Sequence, residues 1–459
     1  MKLSTSLRAV CAILAATSPL NAADTPPPGF TPLFNGQDLT GWVPVNVAPD
    51  TFTVRDGMIV TNGKPTGYMR SAKMYENFIL EVDWQHLTPK GNSGVFIWGD
   101  GIPAMGTGYT RGIEVQVLEN SFGENKGNNE WFTTHGDIFP IWGAEMTPSG
   151  RIAKSGKRSF PSEDRSKPAP EWNHYRITCN AGEIRLEVNG KETTVGKDCV
   201  PRKGFIALES EGAECHFKNI FLQELPSTNT PPEQTANPYE GFTSLFNGID
   251  FTGWKVPAGD NGHWKAQDGI IDYDARSEAA GEKHLWTEKE YGDYTLVVDW
   301  RIKDTPFLNP RVCQVLPDGS DAKDAKGQLV QLSLPDTDSG ILLAGSMKHQ
   351  VNIWCWPVGS GEMYGVRRDP AMPAEIRAAV TPKVKADHAV KKWNRYEITV
   401  RKGAVTVRLN GQTVVETPSI PGMPLRGPIG LQHHGAMKDG EWTSPPALVQ
   451  FRNLFVKEL

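Results

Sequence analysis

The chain reads GFTPLFNGQDLTGW at residues 29–42 and, 212 residues later, GFTSLFNGIDFTGW at 241–254. Eleven of the fourteen positions are identical, so the stretch marks the start of a unit that occurs twice. Working outward, the repeat continues in the same order. FILEVDWQ (78–85) answers to YTLVVDWR (294–301), and EWNHYRIT (171–178) to KWNRYEIT (392–399). IRLEVNGKET (184–193) answers to VTVRLNGQTV (405–414), GFIALESEG (204–212) to GPIGLQHHG (427–435), and HFKNIFLQEL (216–225) to QFRNLFVKEL (450–459). Two domains of roughly 200 residues follow, within the usual domain range. They span 24–225 and 241–459. PSTNTPPEQTANPYE (226–240) lies between them with the Pro- and polar-rich composition of an extended linker.

Within each copy the matched segments alternate. Leu80, Val82 and Trp84 share one face of their segment; Ile79, Glu81 and Asp83 share the other. Period two with β-branched and aromatic residues predicts half-buried strands. NG at 189–190 and 410–411 supplies turns. A helical period is nearly absent, PAEIRAAV (373–380) being the best case. The expected fold is all-β: two tandem β-sandwiches of jelly-roll type, each with a concave face lined by alternate residues of several strands.

Net charge is −5 without a basic block, which argues against a nucleic-acid partner. Lys2 and Arg8 precede an apolar stretch from Ala9 to Ala16 and small residues near Ala22 and Ala23. This is the pattern of a secretory signal over 1–23. An exported protein is expected, periplasmic or extracellular, with no membrane insertion in its mature form. Five cysteines remain beyond that segment: Cys179, Cys199, Cys215, Cys313 and Cys355. Export permits a bridge in each half, and buried free thiols are the alternative.

The opening motif, SGVFIWG (93–99), EVQV (114–117), EWNHY (171–175), VNG (188–190) and FKNI (217–220) together resemble the 3-keto-disaccharide hydrolase family, in two tandem copies. The resemblance covers nearly all of the chain past the signal segment. It implies a concanavalin-like jelly roll and action on glycosides oxidised at C3, by a 3-keto-glucoside 1,2-lyase or 3-keto-2-hydroxy-glucal hydratase reaction. A C3 ketone acidifies the C2 hydrogen; a base removes it and the C1–oxygen bond breaks. Water can then add back, for net hydrolysis. Such a site needs a base near C2, donors or a cation for the enolate oxygen, and an acid for the leaving oxygen.

In the first copy, Glu114 and Gln116 of GIEVQVLE lie two apart and so share a strand face, a base beside an orienting amide. The alternative is a solvated outer face. His135 and Asp137 of TTHGDIF are candidates for acid/base work. With Glu114 they offer a cation site of the Ca²⁺ or Mn²⁺ kind. Glu209 and Glu211 fall on one face if their strand is regular, and would raise one another's pKa. In the second copy the base position changes: Gln350 and Asn352 of HQVNIWCW stand where Glu114 and Gln116 stand. Glu362 answers to Asp137, and His433-His434 to Ser210-Glu211. Glu362 and His434 are the catalytic candidates there, with Gln350, Asn352, Trp354 and His433 for substrate binding. Asp318, Ser320, Asp321 and Asp324 in an insertion (318–328) invite a calcium reading, against a plain solvated loop. The expected partner is an oligosaccharide or 3-keto-glycoside. Two other classes stay open: a carbohydrate-binding protein without turnover, and a conventional glycosidase with two spaced carboxylates.

Overall fold

The computed structural model of the protein describes residues 25–123, 130–133 and 135–459. The expected signal segment lies outside the described residues. The chain is all-β, two jelly-roll sandwiches in tandem, each built by antiparallel pairing of the alternating segments. Among the described residues the first copy forms a nine-stranded outer and an eight-stranded inner sheet. The second forms an eight-stranded outer and a five-stranded inner sheet, with an added hairpin, Phe307–Cys313 and Gln331–Asp336. PAEIRAAV yields a short helix, Ala374–Ala379.

The repeated opening stretch is a turn and a core anchor. The Asn35 carboxamide accepts from the amides of Gln37 and Asp38 and donates to Asp38 at 2.8 Å. Asn247 makes the same set with Ile249 and Asp250. Gly36 and Gly248 follow with φ of 75° and 84°, the left-handed conformation such a turn requires. Trp42 and Trp254 are buried, and their indoles donate to the carbonyls of Leu33 and Leu245. Leu80, Val82 and Trp84 point into the first core, as Leu296, Val298 and Trp300 do into the second. Trp84 meets Tyr175 at 5.3 Å between centroids, and Trp300 meets Tyr396 at the same distance.

The outer sheet of the second copy, not its concave face, meets the first copy. Val297 and Phe455 join Tyr68, Phe96 and Ala207 of the first copy's inner sheet in one apolar cluster. Around it, Arg395 donates to the Pro103 carbonyl at 2.8 Å, Asn453 to that of Thr107 at 2.9 Å, and Arg452 to that of Gly106 at 3.1 Å. Asp299 accepts from the Gly106 amide at 2.8 Å. The two concave faces therefore do not oppose one another. The 226–240 segment, expected as an extended linker, is strapped along the first copy. Glu76 accepts from Ser227, Thr228 and Thr230, and Asn237 exchanges hydrogen bonds with Asp100 and Gly101.

All five cysteines stand as free thiols, Cys355 alone being only half-buried. The alternative of small buried residues is the one realised; burial raises the Cys355 thiol to about 11. Among the described residues no helix is long and apolar enough to cross a membrane.

Candidate active site on the concave face

The strand Gly112–Leu118 lies between Asn92–Gly99 and Ile138–Ile141. Val115 and Val117 enter the core, which turns Glu114 and Gln116 onto the opposite, concave face. Phe205–Ser210 follows beyond Asn92–Gly99 and carries Glu209 on that same face, with Glu211 just past its end. Gly94 sits between them. A Cβ there would lie 2.9 Å from Glu114 Oε1 and 3.1 Å from Glu209 Oε2. The missing side chain thus lets both carboxylates lean over one point. The Tyr109 hydroxyl donates to Glu211 at 2.9 Å.

Opposite them stands Arg158. Its guanidinium donates to Asp137 at 3.0 Å, lies 3.5 Å from the Gln116 carboxamide oxygen, and covers the Phe139 ring at 3.4 Å. Burial raises the Glu114 carboxyl to about 8; Arg158 opposes this while Glu211 and Asp137 reinforce it. Burial, then the charges of Glu114 and Glu211, lift Glu209 in the same direction. The Glu209 Oε2 atom is buried without a hydrogen-bond partner among the described residues. Carboxyls raised in this way keep, at neutral pH, protons that ordinary glutamates have lost. Trp142, 54% exposed, stacks on Tyr109 at 10° between planes and offers a flat apolar platform at the rim. Trp142→Ala is expected to raise KM about 5- to 10-fold with kcat little changed, the value of one aromatic contact, as steady-state kinetics would read.

The other first-copy candidates part company here. Asp137 belongs to the cluster through Arg158 and also accepts from Thr133. His135 is buried and pairs with Asp164 at 3.0 Å; burial lowers it to about 4. Glu119 serves the chain, accepting from the amides of Lys90 and Ser121. The donor set imagined for Ca²⁺ or Mn²⁺ does not fit. Arg158 holds the place beside Asp137 that a cation would take, and His135 turns to Asp164. Among the described residues no group of three or more His, Cys, Asp or Glu is arranged to hold an ion.

The second copy keeps the scaffold and changes the groups. Gln350 donates to the Ser339 carbonyl at 3.0 Å and to the Gln432 carboxamide, so amides replace the Glu114–Glu209 pair. Asn352 is buried beside them. Glu362 is bonded to Arg367 and fully buried, as its counterpart Asp137 is with Arg158 in the first copy. Asp321 of the insertion pairs with Arg367 and Arg368, Asp318 with Ser320, and Asp324 with the amides of Lys326 and Gln328. The acidic loop closes on the chain itself. Trp354 stacks on Trp356 at 4.3 Å under the 307–336 hairpin and is 3% exposed, so its face is spent on the core. His433 accepts or donates at Nδ1 to the Tyr273 hydroxyl at 2.6 Å, and His434 Nδ1 meets the Pro445 carbonyl at 2.6 Å.

Fold and site together define a tandem jelly-roll protein with an acidic, arginine-backed groove in its first half. The family model described as the 3-keto-alpha-glucoside-1,2-lyase-like domain matches residues 29–223 and again 241–457, and the chain belongs to that family, twice over. It is thereby a carbohydrate-active protein of the glycoside-cleaving kind. Among solved structures, a protein of Parabacteroides distasonis provisionally assigned as a glycosyl hydrolase is 22% identical, covering 43% of this chain and 94% of its own at a TM-score of 0.33. The carbohydrate-binding module CBM66 of Bacillus subtilis is 13% identical, covering 40% and 96%, with a TM-score of 0.28. A Bacillus subtilis protein of unknown function with a galectin-like fold is 10% identical, covering 42% and 94%, with a TM-score of 0.31. A comparison with curated proteins found no match.

Arg158, Tyr109 and Trp142 escaped the sequence reading. Arg158 stands in GKRSF among surface-type charges, and Tyr109 sits on a loop with no period to place it. Their only signal is pairing across the fold.

Proposed function

We propose that the protein is exported through residues 1–23 and cleaves 3-keto-glycosides by elimination at the first copy's concave face. The observation that carries this reading is the convergence of Glu114 and Glu209 on one point over Gly94, with Glu211 and Arg158 as charged neighbours. A carboxylate of the Glu114–Glu209 pair takes the C2 proton, with Glu114 as the base. The electrons form the enolate, whose oxygen the Arg158 guanidinium stabilises. As the C1–oxygen bond breaks, the neighbouring protonated carboxyl gives its proton to the leaving oxygen. The enone and the free aglycone are the products. A carboxyl lifted to about 8 suits this task, since base strength rises with pKa.

The test is incubation of the full chain with a 3-keto-glucoside and with its unoxidised parent. Aglycone release with enone absorbance from the keto-glucoside alone is expected. Release from the unoxidised glycoside at a similar rate would establish a conventional glycosidase, and binding without product a lectin. Activity unchanged after chelator treatment is also expected, because Arg158 occupies the place beside Asp137.

A further inference from the structure

The concave face of the second copy differs from that of the first in shape as well as in charge. In the first copy residues 100–111 join the strands Asn92–Gly99 and Gly112–Leu118. That loop carries Tyr109 and rests on Arg395, Arg452 and Asn453, while Val297 and Phe455 cover Tyr68, Phe96 and Ala207. Loop and second sandwich together wall off one end of the face. In the second copy the matching strands, Asp338–Leu343 and Ser346–Trp354, turn directly through Ala344 and Gly345, at φ of 52° and 67°. A two-residue hairpin turn of this kind leaves no loop to build a wall. Among the described residues no apolar cluster joins this face to the first copy.

An aromatic ring lies there instead. Leu285 enters the core, so Trp286 points to the concave face, where it is half-buried. It pairs with Gly430, the counterpart of Ala207. A Cβ on Gly430 would fall 2.6 Å from Trp286 Cε3, 2.7 Å from Cζ3 and 3.0 Å from Cδ2. The indole therefore lies face-down over the glycine and turns its other face away from the sheet. Beyond it the floor is amide. Gln350 and Gln432 bond each other, and Asn352, 3% exposed, keeps its Oδ1 without a hydrogen-bond partner among the described residues. The Oδ1 of Asp338, on the same face, is buried and unpartnered in the same way. A flat apolar ring for the C–H side of a sugar, with unspent acceptors for its hydroxyls, is the equipment of a neutral carbohydrate site.

We propose that this face is a non-catalytic groove for internal stretches of a neutral, unoxidised polysaccharide, with Trp286 as its platform and Asn352 and Asp338 as its hydroxyl acceptors. The inference stands apart from the elimination reading, since it needs neither a C3 ketone nor a proton transfer. Amides in place of the Glu114–Glu209 pair leave no base on the floor. The missing wall lets a chain run past the platform, and a polymer offers many such stretches for each chain end. Because the two concave faces do not oppose one another, a chain held here leaves the first groove free. Tethering then raises the local concentration of glycosides around that groove.

The experiment is affinity electrophoresis of the full chain through gels holding starch, mixed-linkage β-glucan, xyloglucan or galactomannan, with polygalacturonate as the charged control. Retardation by at least one neutral polymer and none by polygalacturonate is expected. The same polymer cut to disaccharides should compete far more weakly at equal mass of sugar, because cutting multiplies the ends and removes the internal stretches. Trp286→Ala is expected to weaken binding about 10-fold, and Trp286→Phe to restore most of it. Asn352→Leu is expected to weaken binding about 5-fold. The oxygen it removes makes no internal hydrogen bond, so urea unfolding of this variant should stay close to wild type. Glu114→Gln should bind the polymer as wild type does, which separates failure of binding from failure of the elimination. No retardation by any neutral polymer, disaccharides that compete as well as the polymer, or binding unchanged in both Trp286→Ala and Asn352→Leu overturns the proposal.

Discussion

Glu114→Gln is expected to lower aglycone release by about 100-fold or more, the usual value of a general base, and at the same time to make the protein more stable. The two effects have one cause. Burial holds the Glu114 carboxyl at about 8, above its ordinary value near 4.5. Between those values the folded protein keeps a proton that the unfolded chain releases. Stability therefore falls as pH rises through this window, and the cost is fully present only above about 8. At pH 7 it is on the order of 3 kcal/mol. A glutamine removes the ionisation and with it the slope. The fold accepts that amide, for Gln350 stands at the same place in the second copy and bonds Gln432. In the first copy a new amide would find Glu209 Oε2, buried and unpartnered. Urea unfolding from pH 5 to 8 should show wild type and variant converging at the acid end and separating towards pH 8. A variant that loses activity and stability together would mean that Glu114 holds the sheet rather than serves the reaction.

Much of this was legible in the sequence because the period was. Alternation placed Leu80 and Trp84 in the core and Glu114 and Gln116 away from it, and a repeat in fixed order divided the chain. Asp137 and Glu362 were matched by alignment, and both are met by an arginine, Arg158 and Arg367. What escaped reading depended on tertiary closure. Trp354 reads as a stacking surface until the inserted hairpin, through Val312 and Cys313, covers it. His135 reads as a titrating group until Asp164 arrives from a distant segment. Asp299 reads as a strand-end aspartate equivalent to Asp83, and local pattern cannot tell that a second domain surface lies over one and not the other.

That difference gives the other large effect. Asp83 bonds His174 at 2.7 Å and Asn219 at 2.8 Å on the outer sheet of the first copy. Asp299 makes the homologous set with Arg395, at 2.6 and 3.0 Å, and Asn453, at 2.7 Å, and adds the Gly106 amide of the other copy. His174 is 40% exposed at its side chain, whereas Arg395 is 12% exposed and Asp299 fully buried. Asp299→Ala strands a buried guanidinium and unfastens the loop that carries Tyr109 to Glu211. It is expected to cost about 3–5 kcal/mol and to lower first-copy activity although no residue of that groove has changed. Asp83→Ala breaks a partly solvated pair and should cost no more than about 1 kcal/mol. Urea unfolding of both variants, with aglycone release at low denaturant, makes the comparison. Equal costs, or full activity in Asp299→Ala, would show that the second sandwich rests beside the first without supporting its site. A large cost confined to Asp299 would mean that duplication supplied this enzyme with a wall as well as a second groove.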